Sequence, residues 1–279
     1  MAKIVWIASY PRSGNTWMRF LLANLLYGPL KSSAELDKKI PAIHRGINGK
    51  HLLGNQKLLV KTHWSYSPTL PLREDTIGVI YILRHPIDVL ASNLQYYLVR
   101  SPAFEALGTE EARREATRRW IDEYIERGGS SRAFEFDFGG WNENVASWTG
   151  DPLPYPRLVL KYEDLKAAPT ERMFDVARFL GINATETRIA DAVARSSFKA
   201  MRALEEEEIA RRERGIFFND TVEASVQLGG RFVRRGEVGG QETLLTPAQR
   251  AAANARFGAA MARFGYAAKT GQALPATGR

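Results

Sequence analysis

Cysteine is absent from the 279 residues. That removes disulfides, thiolate zinc sites, iron–sulfur clusters and any Cys nucleophile, and it suits a reducing compartment, so a cytoplasmic location is expected. Histidine is scarce: His44, His51, His63 and His85 show no metal-ligand spacing, and no metal is expected. Long apolar runs are also missing. Residues 4–8 meet Pro11 and Arg12 almost at once, and residues 20–27 are interrupted by Asn24, so neither reads as a signal peptide or a membrane span. With 23 Gly and 13 Pro, scattered, the chain is no collagen and no string of linkers. Acid is the scarcer charge, 31 Asp and Glu against 39 Lys and Arg, a net +8. The balance favours an anionic partner: nucleic acid, an acidic membrane surface or a small phosphorylated ligand.

What is present is a hydrophobic fraction of 44%, enough for a core, and no repeat or composition break, so residues 1–279 read as one domain. Residues 3–8 are β-branched and apolar, the pattern of a strand buried on both faces. A turn-rich loop follows, and then strong helix formers from Trp17 to Leu26. Further strands are predicted at 57–63, 78–83 and 157–162, with helices from about 87 to 97 and from 170 to 180. Strands alternating with helices imply an α/β fold, a central parallel sheet flanked by helices. Residues 105–127 read as one charged helix with an apolar stripe of Trp120, Ile121, Tyr124 and Ile125. The pattern degrades over 199–240, the expected mobile lid; 247–262 reads as a last helix, and the tail after 269 as frayed.

The chemistry-bearing element is the loop between the first strand and helix, Tyr10-Pro11-Arg12-Ser13-Gly14-Asn15-Thr16-Trp17. Backbone N–H groups and the positive end of the helix dipole converge there, which makes an anion site or, more simply, a capped helix start. An ATP-dependent kinase would need G-x-x-x-x-G-K-[ST], and the loop lacks the Gly-Lys-Ser/Thr.

The segment resembles the 5′-phosphosulfate loop of sulfotransferases that use 3′-phosphoadenosine 5′-phosphosulfate (PAPS), and further matches follow in that family's order. Lys61-Thr62-His63 is similar to its Lys-Thr-His, and Arg84-His85-Pro86 with Ser92 eight positions after Arg84 resembles its 3′-phosphate element. Tyr162-Glu163-Asp164, Ser196-Ser197-Phe198 and Phe232-Val233-Arg234-Arg235-Gly236 match three more motifs, so the resemblance runs from residue 4 to about 246. It implies a P-loop-like sulfotransferase fold and a sulfuryl transfer from PAPS to a hydroxyl, with PAP released.

By the same resemblance, Arg12, Ser13, Gly14, Asn15 and Thr16 would hold the phosphosulfate, and Trp17 and Phe198 would sandwich the adenine, with Ser196 and Tyr162 at its edge. Arg84, Ser92, Arg234, Arg235 and Gly236 would bind the 3′-phosphate. His63 would be the general base, and Lys61 and Arg12 would stabilise the leaving oxygen. His85 reads as structural. Arg12 stands where the well-known cytosolic branch has Lys, Asn144 where many relatives have His, and the family's dimer element is not evident, so the oligomeric state stays open. Trp64, Tyr66, Tyr96, Tyr97, Phe134, Phe136 and Phe138 favour a small alcohol or phenol as acceptor. A glycan or peptide acceptor, an ATP-dependent kinase and a basic nucleic-acid-binding protein are the rival readings.

Overall fold

The computed structural model describes residues 3–47, 57–99, 101–151, 153–219, 223, 226, 231–233 and 244–266. Four strands form its sheet: β1 (Lys3–Ser9), β2 (Lys57–Thr62), β3 (Thr76–Leu83) and β4 (Arg157–Lys161), in spatial order β2-β1-β3-β4 and all parallel. The apolar runs are continuous because both faces are covered. Alternate residues divide between two cores. Val5, Ile7, Ile80 and Ile82 pack beneath α1 (Asn15–Tyr27), α9 (Pro169–Leu180) and α10 (Glu186–Arg195). Ile4, Trp6, Val79 and Tyr81 pack against α3 (Pro86–Asn93), α5 (Glu110–Arg127), α7 (Trp141–Thr149) and α12 (Pro247–Arg263).

This arrangement positions the site. The neighbouring strands β1 and β3 send their chains to opposite faces, β1 into α1 and β3 into α3. A crevice therefore opens between them at their carboxyl ends, the place where open α/β sheets bind ligands.

Several expected elements differ in detail. The helix expected to reach about residue 97 is α3 followed by a π turn, Leu94–Leu98, closed by Val99 N–H to Leu94 O at 3.1 Å. Such a widened turn rotates the residues it carries, here Tyr96 and Tyr97, which both line the central cavity. The charged helix is split into α4 (Pro102–Glu105) and α5, because Thr109 caps the second piece through Ala112 N–H at 3.1 Å. Ile121, Tyr124 and Ile125 are buried as expected. Where the helical pattern was expected to degrade, α11 (Phe198–Arg211) continues for 14 residues. The tail after 269 lies outside the described residues, as does much of 220–243. The last helix opens with a capping box, Thr246 and Gln249.

Candidate active site

Gly14 is the N-cap of α1 and has φ 101, the left-handed region that favours glycine. A Cβ there would lie 2.6 Å from the Tyr162 ring, so the loop backbone and that ring meet closely. Arg12, two residues earlier, is also left-handed at φ 69. The first intrahelical bond runs from Met18 N–H to Gly14 O at 3.1 Å. The amides that precede it in the first turn have no partner inside the helix, the feature that suits a helix start to an anion. The Ser13 hydroxyl, on a residue 1% exposed, has no hydrogen-bond partner among the described residues. Asn15 serves the loop from behind, its amide donating to Ile7 O at 2.9 Å and to Ser9 Oγ at 3.2 Å.

His63 follows the end of β2. Its Nδ1 lies 2.8 Å from the Ser9 carbonyl oxygen, an acceptor, so Nδ1 carries the proton and Nε2 is the basic nitrogen. Burial, and then the Lys61 charge, hold the imidazole well below its usual 6.5, against the opposing pull of the Ser9 carbonyl. Phe138 packs edge-on to the ring at 5.7 Å. Asn144 fixes the backbone of this segment, donating to His63 O at 2.9 Å and Phe138 O at 3.0 Å while accepting from the Tyr81 hydroxyl at 2.9 Å. The position that lacks a second imidazole thus has a structural task.

Lys61 is 8% exposed, and its ammonium makes no hydrogen bond or ion pair among the described residues. Burial and the nearby Arg19 charge drive its pKa well below the usual lysine value. Arg19, itself buried, is held by Asp37 at 2.5 Å, and Arg45 pairs with the other oxygen of Asp37. A buried cation short of counter-charge beside the loop suits an anionic ligand.

On the β3 side, Arg84 donates to Arg12 O at 3.1 Å and lies 4.3 Å over the Tyr162 ring. Arg12 Nε donates to Ser92 Oγ at 3.3 Å, and its guanidinium lies 4.3 Å from the Tyr96 ring and 5.1 Å from Phe232. These contacts place the Arg12 head beside Ser92. Trp17, Tyr162 and Phe198 form an aromatic wall, with Trp17 5.7 Å from Tyr162 and 6.1 Å from Phe198. His85 caps α3 through Ile87 N–H at 3.3 Å and packs on Tyr266, the structural part expected of it.

Arg12, Gly14, Asn15, Thr16, Trp17, Lys61, His63, Arg84, Ser92, Tyr162 and Phe198 line one cavity of about 1260 Å³. A family model of the sulfotransferase domain matches residues 3–265. The chain belongs to the sulfotransferase family. Sulfotransferase 1B1 of Canis lupus familiaris is 29% identical over 208 residues, covering 70% of this chain and 65% of the relative. Cytosolic sulfotransferase 13 of Arabidopsis thaliana is 25% identical over 252 residues, 86% of this chain and 71% of the relative. The chain therefore spans just under two thirds of the mammalian relative's length. Its fold is shared with mouse sulfotransferase SULT7A1 complexed with PAP, at TM-score 0.64 and 20% identity over 93% of this chain and 84% of the other. It is shared too with retinol dehydratase in complex with androsterone and PAP, at TM-score 0.57 and 20% identity over 98% and 82%.

Two residues that the resemblance assigns to the donor, Ser13 and Ser196, are not among those lining the cavity. Ser196, expected at the adenine edge, is fully buried behind the aromatic wall: its carbonyl accepts from Trp17 Nε1 at 2.9 Å and its hydroxyl from Asn24 at 2.9 Å. It orients Trp17 and does not line the cavity. Asn15, one of the loop residues expected to hold the phosphosulfate, lines the cavity but spends its side-chain amide on β1. Arg234, Arg235 and Gly236 lie outside the described residues. Of the acceptor-side aromatics, Trp64, Tyr96, Tyr97, Phe136 and Phe138 line the cavity. Tyr66 packs at 5.2 Å on both Trp148 and Tyr155, and Phe134 is exposed. Among the described residues no three His, Asp or Glu converge as a metal-binding set, and no helix is long and apolar enough to cross a membrane.

Proposed function

We propose that this sulfotransferase moves a sulfuryl group from PAPS to the hydroxyl of a small alcohol or phenol and releases PAP. The observation that carries the reading is the His63 Nδ1 bond to Ser9 O, which leaves Nε2 as the base on a ring sharing one cavity with the phosphate-type loop. The structural fit to the donor rests on the buried Lys61 ammonium and the Gly14 backbone at the start of α1, which both line that cavity. PAPS would supply the activated sulfuryl group when bound.

The loop from Arg12 to Thr16 would hold the phosphosulfate end, and Trp17, Tyr162 and Phe198 the adenine. Arg84 and Ser92, with Arg234, Arg235 and Gly236, would take the 3′-phosphate. As the acceptor oxygen bonds to sulfur, the bond from sulfur to the bridging oxygen breaks and the hydroxyl proton passes to His63 Nε2. Lys61 and Arg12 offset the charge left on the departing oxygen. Nothing in this scheme calls for a metal. The aromatic lining favours an acceptor with an apolar body, and a cytoplasmic setting fits both the missing cysteines and the cytosolic plant relative.

Labelled PAPS with a panel of phenols and alcohols tests the assignment. His63→Ala should lower transfer at least ~100-fold while PAP still binds. Turnover retained in that variant rejects His63 as the base.

A further inference from the structure

Four consecutive glutamates, residues 205–208, fall in the stretch 199–240 that reads in the sequence as a mobile lid. On α11 only Glu206 and Glu207 are exposed; Glu205 and Glu208, one turn apart, are 0% and 1% exposed. A carboxylate is buried at high cost unless its oxygens accept hydrogen bonds. Glu208 accepts from the backbone N–H and, at 2.6 Å, the hydroxyl of Ser33. The two oxygens of Glu205 accept the consecutive backbone N–H groups of Phe232 and Val233, the second at 3.0 Å. Arg202, one turn earlier, donates to Val233 O and so grips the second of these residues from the same helix. Arg202 and Arg231 are the cations that face Glu205.

What is gripped belongs to the active site. The Phe232 ring lies 5.1 Å from the Arg12 guanidinium, which Tyr96 flanks at 4.3 Å. It is braced by Phe217 at 5.5 Å. Val233 is buried in the core beneath α1. We propose that Glu205 is a positioning residue of the donor site: its carboxylate clasps the Phe232 and Val233 amides and thereby holds the Phe232 ring against Arg12. Two adjacent N–H donors call for two acceptor oxygens, which a carboxylate has and a carboxamide lacks. The inference rests on the PAPS reading of the cavity, and α11 thus joins the adenine wall at Phe198 to the ring that borders Arg12.

The test is calorimetric titration of PAP into the wild type, Glu205→Gln, Phe232→Ala and the double variant, with Glu208→Gln as control. Glu205→Gln should weaken PAP about tenfold, and raise KM for PAPS in step, whereas Glu208→Gln stays within about twofold. Because Glu205 acts through Phe232, the double variant should bind no worse than about twofold beyond the weaker single variant. PAP affinity unchanged in Glu205→Gln, or single effects that multiply, overturns the proposal. Should Glu205→Gln fail to fold, amide exchange in the wild type decides: Phe232 and Val233 N–H protected like α11 support the clasp, and exchange at the free-peptide rate removes it. A wild type that binds no PAP strikes the donor reading itself, a result distinct from a wild type and Glu205→Gln that bind alike.

Discussion

In the proposed transfer a proton leaves the acceptor hydroxyl as its oxygen attacks sulfur, and His63 could take it only while its imidazole is neutral. Burial and the Lys61 cation both disfavour the charged ring, so pH has to fall well below 6.5 before the base is lost; at neutral pH it is fully present. An NMR titration of labelled His63 in the PAP-free protein should therefore give a midpoint below 6.5. Lys61→Gln should move that midpoint upward, and an unchanged midpoint would remove the Lys61 field as a cause. Gly14 makes the second argument at this scale. An alanine there must hold φ near 101 and push a Cβ to 2.6 Å from the Tyr162 ring. Gly14→Ala should cost about 2 kcal/mol and lower Tm by about 5 °C in calorimetry. A Tm equal to wild type would mean that Tyr162 steps aside at no cost.

Elements place these residues, and α7 does so from outside the sheet. Asn144 ties the backbone after β2 to Tyr81 of β3, so the helix sets the height of His63 in the cavity. Replacing it by alanine strands two part-buried carbonyl groups and a buried hydroxyl, a loss of about 3 kcal/mol readable as a lower urea midpoint. Asn144→Ala should also reduce kcat about tenfold while PAP affinity holds, and an unaltered kcat would free His63 from α7. The four strands and the β1–α1 loop were legible because fully buried parallel strands leave continuous apolar runs and a phosphate-type loop has a local signature. Other features hide because the information is not local. Nothing near residue 205 in sequence tells of amides at 232 and 233, so the burial of Glu205 has no local signature. The amide of Asn15 and the carbonyl of Ser196 have their tasks assigned by neighbours brought up by β1 and α1. The π turn at Leu94–Leu98 breaks the helical period just where Tyr96 and Tyr97 enter the cavity.

At the scale of the molecule, the cavity lies where α1 leaves for one face of the sheet and α3 for the other, so a ligand spanning it joins the two cores. Its two anionic ends would then be held by different faces: the phosphosulfate end by the start of α1, the 3′-phosphate by Arg84 and Ser92 at the start and end of α3. PAP at 100 times its Kd, without Mg²⁺, should add ~2.7 kcal/mol to the stability and raise Tm by roughly 5 °C. Because the grip is largely electrostatic, the shift should shrink as salt is added. The 3′ end can be isolated by comparison with AMP, which differs from PAP only in lacking the 3′-phosphate. In wild type PAP should outbind AMP by at least ~10-fold, the worth of one charge-assisted phosphate contact. Arg84→Ala should erase most of that preference and leave AMP affinity nearly unchanged. Equal weakening of both nucleotides would instead mean that Arg84 serves through its bond to Arg12 O, shaping the loop on the α1 side rather than reading the phosphate on its own.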